Sequence, residues 1–416
     1  MRPNVLLVMT CSWVPPARLA MALSHSGCAV DAVCPRAHAI TTTRAMQRWY
    51  HYNGFLGSIH AAIQSAKPDF LIPCDDYATL SLHRLHEKRP ADSALRQLIE
   101  RSVGDPQHYS TVRTRASLLA AARDSRISVP ETEVLTGKES LAAWLNKNGL
   151  PAYIKADGTS GGVGVRLVES REQAERAFAA LSSPPGAIRA LKRALVDKDM
   201  RLLVPCLRRW RPVVSIQKVI SGSEANCAAS CWQGRLLACI SAQVIQRDDE
   251  YGPATVIRII DNQEMLAAAE KIAAKFHLSG LFGLDFMLET ATGTAYLLEM
   301  NARATQTCHL DLGRGKDPMR SLATEFSAGG LGSPSTMTLT GRDTIALFPA
   351  EWKRDPCSRY LSSAYHDVPW EEPDLVRYCI KSRLQDHSWM SYRKWRARKT
   401  PAESVADPHS VNPERN

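Results

Sequence analysis

Short apolar runs alternate with amphipathic stretches through the first ninety residues. Residues 4–9 (NVLLVM) read as a buried strand and 16–27 (PARLAMALSHSG) as a helix closing at Gly27. Residues 28–35 (CAVDAVCP) and 68–76 (PDFLIPCDD) give two more strands, the latter followed by a helical 77–89. Strands alternating with helices predict an open parallel sheet. Ligands of such sheets bind beyond the carboxyl ends of the strands. Cys74, Asp75 and Asp76 fall at such an end, where an aspartate serves equally well as a helix N-cap or as a ligand group.

The pattern changes after residue 110. Residues 111–132 predict a helix and a link ending in Val129-Pro130, and 141–149 (LAAWLNKNG) a helix closing at Gly149. Two strands then flank a glycine-rich stretch, and 171–181 is again helical. SSPPG at 182–186 is a surface break. From 213 to 260 four β patterns follow one another, and 265–280 is a helix with glycine at its end. LFGLDFMLET and TAYLLEMNAR, joined through a Thr-Gly turn, form a hairpin. No internal repeat is present.

Two segments carry candidate chemistry. In YIKADGTSGGVGVRLVES (153–170), six residues from Gly158 to Val163 separate the strands, three of them glycine. A tight hairpin needs two turn residues. Glycines also let backbone N–H groups surround phosphate oxygens. Lys155 ends the preceding strand within reach of such phosphates, and Thr159 and Ser160 add hydroxyls; a plain mobile hairpin remains the alternative. The second segment is the hairpin. It sets Glu299 and Asn301 two apart on one face, with Asp285 across the turn. Two carboxylates and an amide oxygen suit Mg²⁺ with nucleotide phosphates. An acid turned inward on an apolar strand needs a cation. Arg303, two residues on, is either that cation or the group that meets a transferred phosphoryl.

In order, these pieces resemble the ATP-grasp superfamily over about residues 110–330. They are nearer its carbamoyl-phosphate synthetase and amino-acid-ligase branch than D-alanine–D-alanine ligase. The resemblance implies an N-terminal open parallel α/β domain (1–110) and a two-lobed ATP-grasp fold (111–335, with lobes of about 111–212 and 213–335). A C-terminal extension (336–400) and a disordered tail (401–416) follow. It implies an ADP-forming carboxylate–amine ligase that activates its acid as an acylphosphate. Lys155 and the loop residues Gly158, Thr159, Ser160, Gly161, Gly162 and Gly164 would hold phosphate. The backbone of Lys218, Val219 and Ile220 would meet adenine, and Glu224 the ribose. Asp285, Glu299 and Asn301 would hold one or two Mg²⁺, or Mn²⁺ in their place, and Lys155 and Arg303 would act in catalysis. Where the superfamily carries its first phosphate lysine, this chain has Arg115, with Arg113 nearby; arginine keeps the charge and binds phosphate bidentately.

Composition narrows the partners. The chain has 416 residues and a formal net charge of +10. Seven of its basic residues lie between Lys381 and Lys399 against one acid, interleaved with Trp389, Tyr392 and Trp395. Such a stretch suits single-stranded nucleic acid, but a helix docking its tryptophans on its own protein is the preferred reading. The eleven cysteines form no Cys-x-x-Cys pair and read as reduced thiols of a cytoplasmic protein. No apolar run is long enough to span a membrane, and the N-terminus fits strand–loop–helix better than a signal peptide. The expected partners are small carboxylate and amine substrates, with a homodimer left open. A bicarbonate-activating, carboxylase-like enzyme is the enzymic alternative, and a nucleotide-binding protein with a basic partner-binding segment the non-enzymic one.

Overall fold

The computed structural model describes residues 2–90, 92–158, 164–184, 186, 206–248, 252–313, 315–326 and 343–382. The loop residues Thr159, Ser160, Gly161 and Gly162, most of the basic aromatic segment and the tail lie outside them.

Three of the four N-terminal strands bury both faces. β1 (Asn4–Val8), β2 (Ala29–Cys34), β3 (Arg48–His51) and β4 (Phe70–Pro73) form a parallel sheet in the order β3-β2-β1-β4. Alternation along β1 divides the cores. Leu6 and Val8 pack with Ile59 of α2 (Leu56–Ala66), Leu82 of α3 (Asp76–Glu87) and Ile99 of α4 (Ala94–Val103). Val5 and Leu7 face α1 (Pro15–His25) and a cluster that also contains Ala228, Leu281, Leu322 and Leu375. Residues some 370 positions apart thus share one core.

After α5 (Tyr109–Arg113) and α6 (Arg115–Asp124) comes a small antiparallel sheet in the order β5-β8-β6-β7. Its strands are β5 (Thr132–Val134), β6 (Ala152–Ala156), β7 (Val165–Val168) and β8 (Val214–Lys218). Trp144 of α7 (Lys138–Asn148) and Ala174 of α8 (Arg171–Leu181) pack with Ile154 and Ile216 in its core. The sequence division at residue 213 puts β8 in the larger lobe. Its hydrogen bonds run to β5 and β6 instead, so the chain passes between sheets at 219–221.

The large sheet has seven strands in the order β13-β12-β9-β10-β11-β14-β15. They are β9 (Gly222–Trp232), β10 (Arg235–Arg247), β11 (Ala254–Ile259), β12 (Gly280–Glu289), β13 (Ala295–Asn301), β14 (Thr344–Ala346) and β15 (Tyr365–His366). Met265 and Ile272 of α9 (Gln263–Lys275), with Phe276 at its C-cap, cover Phe282, Phe286 and Leu297. The C-terminal extension is integral to this sheet: β14 pairs with β11 and β15 with β14. Beyond β15, Asp367 is buried between Arg18 of α1 (2.5 Å) and His309 (2.7 Å).

Contact between the N-terminal domain and the large sheet is close enough to exclude a side chain. A Cβ at Gly280, which has φ +89°, would stand 2.6 Å from the Ser102 carbonyl oxygen. We expect Gly280→Ala to cost at least about 2 kcal/mol, measured as a fall of several degrees in melting temperature. An unchanged melt would show that the two domains do not need this approach.

Candidate active site

Two partly buried carboxylates face one another across β12 and the edge strand β13. β12 and β13 pair antiparallel with Asp285 opposite Glu299 and Gly283 opposite Asn301. This register puts both acids and the amide on one face, as the two-residue spacing predicts. Asn301 Nδ2 donates to Asp285 Oδ2 at 3.0 Å.

Positive charge reaches this face from two other elements. Arg115 opens α6 and donates through Nη2 to Glu299 Oε2 at 2.5 Å; its Nη1 lies 3.4 Å from Asp157 Oδ1. Arg113 ends α5 and lies among Glu87 and Arg84 instead. Of the two arginines, Arg115 is therefore the one at the acids. Lys155, 7% exposed at the end of β6, donates to Gln217 Oε1 at 2.6 Å and lies 5.5 Å from the centre of the Tyr153 ring. Lys155 and Arg115 lie 144 and 184 positions before Glu299, which is why no local pattern pairs them.

The charges act on each other. Burial pulls the Lys155 ammonium down to about 8; Arg115 adds to the effect, and Glu299, Asp285 and Glu224 oppose it. Burial and then Glu299 push Asp285 up to about 7. Burial also works to raise Glu299, but the Arg115 and Lys155 charges hold it below the usual carboxylate range. Like charges this close cannot both ionise cheaply, so Asp285 gives up its proton only as pH rises through about 7.

That distribution tests the donor set for a divalent cation. Among the described residues, no group of three or more His, Cys, Asp or Glu side chains gathers as a metal site. The two hard carboxylates fit Mg²⁺, which takes one or two together with phosphates. The third predicted donor is differently engaged, since Asn301 Oδ1 accepts from Arg303 Nη2 at 3.0 Å. Its amide turns if it is to offer oxygen to a metal.

The remaining expected residues are placed as follows. Ala156 N–H donates to the Gly164 carbonyl at 2.9 Å, closing the base of the glycine-rich hairpin, and Gly158 turns at φ +74°. Lys218 ends β8, and Val219 and Ile220 form the crossing between sheets. Glu224 on β9 is ion-paired with Arg247. Arg303 donates through Nε to Asp76 Oδ1 at 2.8 Å and stacks 6.0 Å from the Trp13 ring centre. The two aspartates after β4 thus divide their roles. Asp75 caps α3, accepting from Ala78 N–H at 2.9 Å, and holds Thr10 N–H at 2.6 Å, while Asp76 reaches Arg303. Sequence reasoning missed Gln217, Asp157 and the Asp76–Arg303 pair. Gln217 leaves a trace: polar residues at 215 and 217 share one face of an otherwise apolar strand.

A carboxyl raised from 3.8 to about 7 holds in the folded chain a proton that it lacks when unfolded. The stability this contributes is present below the unfolded value and is lost as pH rises through about 7. In chelator, Asp285→Asn should melt several degrees above wild type at pH 8 and level with it near pH 4. Equal melts at pH 8 would show that Asp285 is not strained by Glu299.

Residues 113–310 match the family described as carbamoyl-phosphate synthase L chain, ATP binding domain. Three solved structures share the fold at low identity. One is carboxyaminoimidazole ribonucleotide synthase from Aspergillus clavatus, complexed with ATP: 14% identity, TM-score 0.56, covering 78% of this chain and 77% of that one. Another is the biotin carboxylase domain dimer of Hydrogenobacter thermophilus 2-oxoglutarate carboxylase, with MgADP, ADP and bicarbonate: 14%, 0.57, 81% and 72%. The third is phosphoribosylglycinamide synthetase from Anaerococcus prevotii: 13%, 0.52, 78% and 74%. With an N-terminal parallel sheet, two further sheets joined at 219–221 and a segment that matches this ATP-binding domain, the chain has the fold of these three proteins.

Proposed function

We propose that the chain is an ADP-forming ligase that joins a small carboxylic acid to an amine or related nucleophile through an acylphosphate. The observation that carries this reading is the opposed Asp285–Glu299 pair with Arg115 and Lys155 set against it. Phosphoryl transfer needs positioning and charge neutralisation more than covalent help. Bound Mg²⁺ would be held by Asp285 and Glu299, with Asn301 after its amide turns, and would supply charge neutralisation at the β- and γ-phosphates.

The chain's own groups do the rest. The Lys155 ammonium and the backbone from Gly158 to Gly164 hold phosphate oxygens, with Thr159 and Ser160 as further donors. The backbone of 218–220 meets the base, and Glu224 the ribose. Arg115, bonded to Glu299, would turn its bidentate donors to phosphate were the acids to hold Mg²⁺. Arg303, held by Asp76 and Asn301, faces the acid whose oxygen attacks the γ-phosphorus. That attack expels ADP and forms the acyl–phosphate bond; the amine then attacks the acyl carbon and phosphate leaves.

Bicarbonate as the activated acid is the second reading, favoured by the neighbour that holds bicarbonate beside MgADP. No helix among the described residues is long and apolar enough to cross a membrane, in keeping with small dissolved substrates. The same neighbour is a dimer, which makes a homodimer the first assembly to examine.

ATP turnover in the presence of candidate acids should yield ADP and phosphate, and hydroxylamine should trap the acyl group as a hydroxamate. AMP and pyrophosphate as stoichiometric products would remove the acylphosphate. Glu299→Gln should abolish nearly all turnover. Arg303→Ala should lower kcat far more than it raises the KM for ATP; an effect on KM alone would move Arg303 to ground-state binding.

A further inference from the structure

The small lobe carries a surface that the site described above does not use. Residues 182–213 lie between α8 and β8, whereas the longest other connection of the lobe is 157–164. The last residues before β8 read Leu207, Arg208, Arg209, Trp210, Arg211, Pro212 and Val213. Leu207 is 80% exposed, Trp210 55% and Val213 44%, and all three arginines are exposed. Large apolar side chains turned outward together mark a contact surface, unlike single ones scattered over a protein. A turn holds the segment. Arg209 N–H donates to the Cys206 carbonyl at 3.1 Å, and Arg209 takes φ +49°, which few non-glycine residues adopt.

This surface adjoins the charged cluster. The Val213 carbonyl accepts from Asp157 N–H at 2.9 Å. Asp157 Oδ1 lies 3.4 Å from Arg115 Nη1, and the same guanidinium holds Glu299. A partner seated on 207–213 is therefore beside the acids.

The chemistry of the patch selects its occupant. Among the described residues no carboxylate pairs with Arg208, Arg209 or Arg211. Three forked donors within four residues suit a partner with several anionic groups, more than one small acid supplies. Leu207, Trp210 and Val213 call for apolar side chains set among those anions. A peptide rich in glutamate or aspartate, with apolar residues between, provides both. It also provides an alkyl amine, the nucleophile that the ligation consumes. A nucleic acid brings the charge, but its amines are conjugated with the bases and attack weakly.

We propose that the face at 207–213 docks an acidic peptide whose free amine is the nucleophile of the ligation. This rests on the ligase reading and names the class of its second substrate. The unprotonated amine attacks the acyl carbon of the acylphosphate. The C–N bond forms, the C–O bond to phosphate breaks, and the surplus proton of the amine leaves with the phosphate.

The test uses the full chain and a peptide of three Glu-Glu-Leu repeats, free at its N-terminus and fluorescently labelled at its C-terminus. Anisotropy should show saturable binding that weakens as salt is raised. Replacing Arg208, Arg209 and Arg211 together by Gln should weaken it at least about tenfold, and Trp210→Ala at least about threefold. All four side chains are exposed, so both variants should melt with wild type. No peptide binding, or equal binding by the triple variant, would overturn the proposal. Oligothymidylate of equal charge bound more tightly than the peptide would mark a nucleic-acid surface and overturn it as well. With an acid that supports hydroxamate formation, wild type should also acylate the peptide at its N-terminus, read by mass spectrometry. The triple variant should do so at least about tenfold more slowly while forming hydroxamate at the wild-type rate. Peptide that binds but is never acylated while hydroxamate forms would overturn the acceptor role. Wild type that forms no hydroxamate with any acid would sink the ligase reading itself, a failure that the binding measurement separates from loss of the docking surface.

Discussion

Two carboxylates placed opposite each other on buried strands cannot both be charged unless positive charge is supplied. Asp285 and Glu299 are such a pair, and much of the surrounding structure answers to them. Arg115 covers Glu299, Lys155 lowers its pKa from the small sheet, and Asp285 gives up its proton only as pH rises through about 7. An arrangement so costly persists in a fold only where something else over-determines it. Here that is a strong ladder: β12 is paired along its length with β9 on one side and β13 on the other. The strain is what makes the site receptive. A divalent cation held by the two carboxylates would supply positive charge there and would leave Arg115 free for phosphate.

The rest of the architecture delivers these charges to one place. The small sheet supplies Lys155, which is hydrogen-bonded to Gln217 and through it to Thr132. The N-terminal sheet supplies Asp76, which fixes Arg303 just past the end of β13. That domain can orient a residue near the acids because it is not a separate body. It shares a core with the large sheet and with Leu375, and meets β12 backbone-to-backbone at Gly280. Asp367, pinned between Arg18 and His309, closes the same assembly from the C-terminal side.

How far the sequence revealed this depended on distance along the chain. The alternation of Glu299 and Asn301, and Asp285 across a short turn, are local facts, so the acid face was legible. So were β1, α1, β2, β4 and α3, whose apolar runs are strong. β3 was not: Arg48–His51 is a mostly exposed edge strand with no buried alternation to announce it. α4 also escaped, burying only Ile99 and Ser102 fully. The partner of Glu299 lies 184 residues away and that of Arg303 lies 227 away. Only the packing of sheets brings them together, so periodicity could not name them. The same holds for β8, whose apolar run reads like those after it, although its ladder partners precede it in the chain.

The most direct measurement is the affinity of the full chain for ATP, by calorimetry at pH 7.5, in Mg²⁺ and again in EDTA. Without a divalent cation the triphosphate must approach two acids whose negative charge is only partly offset, and binding should fall by at least about a hundredfold. ATP bound equally tightly in EDTA and in Mg²⁺ would contradict the assignment of Asp285 and Glu299 as the metal–nucleotide site.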